Sequence, residues 1–124
     1  MADGAERKAS DLFARDCPGR VVLDHVTGRW GVLILAALTP GPLRFFELRN
    51  KVEGISDKIL VSNLRTLRGD GLIERTVVPT SPPQVSYALT DLGQGLSIPL
   101  QGLMDWIVEH GEDIMDAQRR AAHT

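Results

Sequence analysis

Residues 54–93 read GISDKILVSNLRTLRGDGLIERTVVPTSPPQVSYALTDLG, and this stretch decides the fold. Ser56 is a good N-cap, because its hydroxyl can accept a bond from an orphan backbone N–H of a helix start. Ile55 before it and Leu60 after it stand at the positions of a hydrophobic staple. Ile59 occupies the third helical position, so no capping box is expected there. Leu60, Leu64 and Leu67 follow at i, i+4 and i+7, the spacing of one buried stripe. Lys58, Val61, Ser62, Arg65, Thr66 and Arg68 fall outside it. Gly69 and Gly71 are expected to end the helix, since glycine accepts the left-handed conformation of a C-terminal cap.

Downstream of the glycines the period changes. Residues 72–78 are rich in β-branched side chains and read as a strand. Val85, Tyr87 and Leu89 alternate with Gln84, Ser86 and Ala88, the pattern of a half-buried strand. Pro79, Pro82 and Pro83 stiffen the loop between the two. Thr90 then caps a further helix beginning at Asp91. Helix, ribbon and helix in this order make the reading half of a winged helix-turn-helix.

Working outward, Pro18 suits a first helical position, and Val21, Val22, His25 and Val26 form a candidate apolar stripe behind it. Gly28 breaks that helix, and a second is expected over about residues 29–38. Pro40-Gly41-Pro42 is a strong turn signal. Leu43-Arg44 is read as a very short strand. Phe45, Leu48 and Val52 mark a third helix, stopped near Gly54, which pairs with the Ser56 helix as a helix-turn-helix. Leu92, Leu96, Leu100, Leu103 and Ile107 form a long stripe in the last segment, with a kink expected at Pro99. Trp106, Ile107 and Met115 are a surplus of apolar surface that either packs on the first helices or forms a dimer interface.

The expected architecture is therefore α+β and mainly α: a winged helix-turn-helix with a two-stranded wing and N- and C-terminal dimerisation helices. A chain of 124 residues suits one domain over 1–124. Within it the DNA-reading unit covers about 43–90, and the dimerisation elements cover about 10–26 and 91–118. No apolar run reaches the ~18 residues of a membrane span. The start MADGAERKASDLF lacks the apolar core of an export signal. The expectation is a cytoplasmic protein with no membrane partner. One cysteine forms no internal disulfide and supplies no structural zinc site. His25, His110 and His123 lack metal-ligand spacing. No nucleophile elbow, phosphate-binding loop or GxGxxG pattern occurs, so neither an enzyme nor a cofactor is expected.

The net charge of −2 is unevenly spread. Residues 1–39 balance to zero, residues 40–90 carry +2, and residues 91–124 carry −4. The acidity lies away from the reading unit, which is compatible with DNA binding; an acidic last helix also reads simply as a solvated surface.

The chain resembles the HxlR-type transcriptional regulators, a branch of the winged-helix regulators related to MarR, over roughly residues 17–107. The resemblance rests on Cys17-Pro18, Gly28-Arg29-Trp30 with Leu33-Ile34-Leu35, Gly41-Pro42 with Arg44-Phe45, and Glu47-Leu48-Arg49. Gly54-Ile55-Ser56, the leucine stripe, Asp70-Gly71-Leu72-Ile73-Glu74-Arg75, Pro82-Pro83 and Leu89-Thr90-Asp91-Leu92-Gly93 complete it. It implies a homodimer on an inverted-repeat operator in double-stranded DNA, with the Ser56 helix in the major groove and a wing over about 78–85. Members repress or activate genes, often in response to electrophiles, oxidants or aldehydes. Three positions depart from the family: Gln84 stands where wings usually carry a cation, Arg68 where Glu is usual, and Phe46 where a small or polar residue is usual.

The candidate DNA contacts are Ser56, Lys58, Ser62, Asn63, Arg65, Thr66 and Arg68 on the reading helix, with Arg29, Arg44 and Arg49 as candidates for the backbone. The same residues also read as an ordinary polar helix face with surface ion pairs. Cys17 is a redox-sensing candidate, since a helix start favours thiolate and the resemblance implies sensing there. It also reads as an inert buried hydrophobe. The alternative function is a winged-helix protein–protein interaction module without strong DNA binding, suggested by the neutral wing. A third reading is a small-molecule sensor with its effector pocket between the dimer helices, still acting through DNA.

Overall fold

In the computed structural model, residues 11–123 are described. The expectations for residues 1–10, including the first position of the 10–26 stretch, lie outside them. Among the described residues, six helices surround one small sheet in an α+β arrangement. Helix α1 spans Pro18–Thr27, with Pro18 at its first position, where a missing N–H costs nothing. Helix α2, Gly31–Leu38, is apolar nearly all round and is the central core helix: Ile34, Leu35 and Leu38 are fully buried. It starts two residues later than its sequence pattern suggests.

Strand β1, Leu43–Arg44, leads directly into α3, Phe45–Lys51. The Glu47 carboxylate accepts the Arg44 backbone N–H at 2.9 Å. An arginine side chain has no acceptor with which to complete a capping box, so only this half forms. Helix α4, Asp57–Gly69, starts on Ser56, whose hydroxyl accepts the Ile59 N–H at 3.2 Å. Leu60, Leu64 and Leu67 are buried as one stripe and meet Leu48, Val52 and Ile55 in the core.

The end of α4 agrees with the sequence reading and assigns the two glycines separate roles. Gly69 is the last helical residue, and Gly71 alone takes positive φ, at 76°. The Leu72 N–H reaches the Leu67 carbonyl at 3.1 Å, and the Gly71 N–H reaches that of Arg68 at 3.0 Å. These two bonds are a Schellman closure, with Leu67 and Leu72 buried as its apolar clasp. Leu72 therefore belongs to the cap, and strand β2 begins one residue later, as Ile73–Val78.

Strand β3, Gln84–Leu89, pairs antiparallel with β2, placing Arg75 opposite Tyr87 and Val77 opposite Val85. Its other edge takes β1, with Leu43 opposite Tyr87. The sheet is thus three-stranded, in the order β1-β3-β2: the two-stranded wing is anchored by a third short strand. Thr90 locks the wing base. Its hydroxyl donates to the Gly71 carbonyl at 2.6 Å and accepts the Gly93 N–H at 3.1 Å, while its own N–H donates to the Leu72 carbonyl at 3.1 Å. A Cβ on Gly93 would collide with the Leu72 carbonyl oxygen, so only glycine fits there.

Helix α5, Asp91–Glu109, runs through Pro99 without ending. The bond that Pro99 cannot donate falls to the carbonyl of exposed Gly95, where water can replace it. Helix α6 covers Gly111–Ala122. Along α5 only Leu100 of the leucine stripe is buried, while Leu92, Leu103 and Ile107 are exposed. The stripe read on α1 divides: Val26 is buried in the core and His25 is half-buried, while Val21 and Val22 are exposed. His25 of α1 contacts Asp70 at 2.7 Å through Nδ1, tying α1 to the end of α4. Among the described residues no single helix is long and apolar enough to cross a membrane.

The Schellman geometry predicts opposite signs two residues apart. Gly71→Ala forces a Cβ into positive φ and should cost about 1–2 kcal/mol. Gly69→Ala meets no atom within 4 Å and should stabilise by up to ~1 kcal/mol, the helix preference of alanine. Urea unfolding of both variants measures this, and equal shifts would remove the assigned cap.

Candidate nucleic-acid interface

Lys58, Ser62 and Arg65 have the same i, i+4, i+7 spacing as Leu60, Leu64 and Leu67, offset by two residues. At 3.6 residues per turn, two residues are about 200° of rotation, so the polar stripe lies opposite the buried one. The structure has that form: the leucines are in the core, and Lys58, Ser62 and Arg65 are exposed. Together with Asp57 and Val61 they line a shallow groove along the outer face of α4.

The remaining sequence candidates divide. The Ser56 hydroxyl oxygen is occupied by capping. Asn63 is half-buried, and its amide donates to the Ile59 carbonyl at 2.9 Å, which commits it to the helix backbone. Thr66 is half-buried on the same flank. Arg49 faces Asp57 at 3.2 Å in an exposed ion pair between α3 and α4. Arg44 lines a second groove, between the start of α3 and the wing tip, with Phe46, Pro82, Pro83 and Gln84. Phe46 is about half exposed there. Arg29 is not part of either groove. Its guanidinium carbon lies 4.7 Å from the Trp30 ring centroid, and it lines a groove with Leu103 and Ile107 of α5.

Arg68 shares a third groove with Arg65, Gly69, Ile73, Glu74 and Arg75. Arg75 was not a candidate from sequence. The signal was present, since Arg75 is two residues beyond Ile73 on a strand and so shares its face. That Ile73 faces the core beside α4 is visible only in the fold. Among the described residues, no ion pair engages Lys58, Arg65, Arg68 or Arg75.

Cys17, the redox candidate, is fully buried just before α1. Its N–H donates to the Ala14 carbonyl at 3.1 Å. Among the described residues, no three His, Cys, Asp or Glu side chains gather as metal ligands.

Residues 25–115 match the family described as HxlR-like helix-turn-helix. The chain is 50% identical over 100 residues to the HTH-type transcriptional regulator YtfH of Escherichia coli (strain K12), itself uncharacterised, covering 81% of this chain and 79% of the relative. The solved structure of ytfH from Salmonella typhimurium superposes with a TM-score of 0.82 at 47% identity, covering 89% of this chain and 97% of that one. The redox regulator HypR, in its oxidised form, superposes with a TM-score of 0.70 at 31% identity, covering 75% of this chain and 96% of HypR.

Proposed function

The chain belongs to the HxlR-like helix-turn-helix family of winged-helix transcriptional regulators, and from that premise we propose that it is a sequence-specific DNA-binding regulator acting as a homodimer on an inverted-repeat operator. The observation that carries this reading is the outer stripe of α4. Lys58, Ser62 and Arg65 are exposed, unclaimed by any ion pair among the described residues, and held on a helix whose other face is locked into the core. A helix of that kind fits a major groove, where Lys and Arg donate to guanine and serine to either base type. In this reading residues 43–90 form the DNA-reading unit, and residues 10–26 and 91–118 dimerise.

The dimer reading is supported by where apolar surface remains. Phe13 is 96% exposed and Val108 is 81% exposed, and Val21, Leu103, Trp106 and Met115 are exposed as well. They lie on the N-terminal segment, α1, α5 and α6, outside the reading unit. Two α4 helices related by a two-fold axis must enter major grooves about 34–36 Å apart, or a multiple of that.

Lys58→Ala and Arg65→Ala should each weaken operator binding without changing the circular dichroism spectrum. A lost base contact costs ~1–3 kcal/mol and relaxes specificity, while a lost phosphate contact lowers the salt slope by about one. Unchanged affinity in both folded variants would move the reading face elsewhere. If the wild type binds no duplex with a salt-dependent affinity, the protein–protein interaction module becomes the reading.

Val108→Glu places a charge on a side chain that touches little within one chain. We expect a folded protein that sediments as a monomer at micromolar concentration and binds only half-sites weakly. A monomeric wild type under the same conditions would defeat the dimer.

Cys17 is the proposed site of a redox response, on the analogy of HypR, which is described as a redox regulator. Diamide takes two electrons and two protons from two thiols, here Cys17 and a small thiol such as glutathione, and leaves a mixed disulfide and a hydrazine. Because Cys17 is buried, reaction requires opening of the segment before α1 and should be slow in the folded protein. Diamide with glutathione is expected to change operator affinity for the wild type and not for Cys17→Ser. Equal affinity of the wild type before and after treatment rules this response out.

A further inference from the structure

The Schellman closure turns the chain so tightly that β2 starts beside the last turn of α4, and this brings three arginines into one groove. Arg65 and Arg68 come from the helix. Arg75 comes from β2, on the face it shares with buried Ile73, and is therefore aimed at the α4 side of the sheet. The one carboxylate lining the groove is Glu74, which alternation turns to the other strand face. Three arginines against one glutamate line the groove, and none of the three is in an ion pair among the described residues, which makes a local excess of positive charge in a chain whose net charge is −2.

We propose that Arg68 and Arg75, with Arg65 as the bridge, form a phosphate seat that grips the DNA backbone beside the base pairs read by Lys58 and Ser62. This rests on the DNA-reading assignment of α4 and adds a second contact to it. Arg65 lines both this groove and the outer groove of α4, so the two are continuous. Arg68 lies six residues beyond Ser62, about 9 Å along the helix axis. That is the length of two to three base-pair rises of 3.4 Å, so in this proposal Arg68 meets phosphate and not the bases that Ser62 reads. Arginine suits the task because its planar fork gives two parallel bonds to phosphate oxygens. The seat also offsets the neutral wing tip, where Gln84 supplies no charge.

The test uses a 40-base-pair duplex enriched from a random pool by the full-length wild type. Affinity is measured by fluorescence anisotropy across a series of potassium chloride concentrations, and phosphates are mapped by ethylation interference. The double variant Arg68→Gln/Arg75→Gln should bind more weakly, with a salt slope reduced by about one per protomer. It should lose one ethylation-sensitive phosphate per half-site and keep the ranking of base-substituted duplexes. Arg68→Lys/Arg75→Lys should keep most of the slope, which shows that charge and not folding was lost. A double variant with wild-type slope and ethylation pattern, beside a weakened Lys58→Ala, overturns the seat and leaves the reading helix standing. A changed base ranking in the double variant also overturns it, by making these residues base readers. If the wild type enriches no duplex, the reading helix and the seat fall together.

Discussion

Three residues, Asp70, Gly71 and Leu72, hold together elements that would otherwise meet only through side-chain packing. Gly71 and Leu72 close α4 through their N–H groups, and their carbonyls receive the hydroxyl and N–H of Thr90, the cap of α5. Asp70 receives His25 of α1. Gly93 of α5 presses against the Leu72 carbonyl so closely that no side chain fits. The constraint underneath is that buried backbone groups must find partners, and here one turn satisfies those of a helix end, a strand start and the next helix start together. Through this junction the helices proposed to dimerise, α1 and α5, are attached to the C-terminal end of the proposed reading helix.

The charges around α4 are arranged by what each can afford to lose. Arg49 and Asp57 form an exposed pair, and such pairs contribute only about 0–1 kcal/mol. That is too little to fix Arg49 in its pair against a competing anion. Lys58, Arg65, Arg68 and Arg75 have no such partner among the described residues to give up. Asn63 is the contrary case, since its amide already donates a second bond to the Ile59 carbonyl of its own helix and would exchange that bond for a ligand contact with no charge gain. Polar residues on one helix thus differ in readiness for a ligand according to their local bonds.

The apolar side chains show the same separation. The leucines of α4 and the core of α2 are satisfied within the chain, and they hold α4 rigid from behind. Val21 and Val22 of α1 and Leu103 and Ile107 of α5 have helical spacing yet remain exposed. Periodicity marks a face that wants to leave water; it does not say whether the same chain or another supplies the cover.

What the sequence by itself determined is whatever depends on neighbours a few residues apart. The Ser56 and Thr90 caps, the leucine stripe of α4 and the alternation in β3 were legible because capping and periodicity are local. The glycine that ends α4 was legible only to within two positions, since either Gly69 or Gly71 could take positive φ and the choice was made by where Leu72 could be buried. The tertiary structure alone decided the rest. It joined β1 to β3 across more than forty residues, set His25 against Asp70, sealed Cys17 inside, and left Val21 and Val22 outside. It also separated Arg29 from the α4 grooves and delivered Arg75 to Arg68. Such contacts depend on how completed elements pack in three dimensions, and no local period in the chain encodes that.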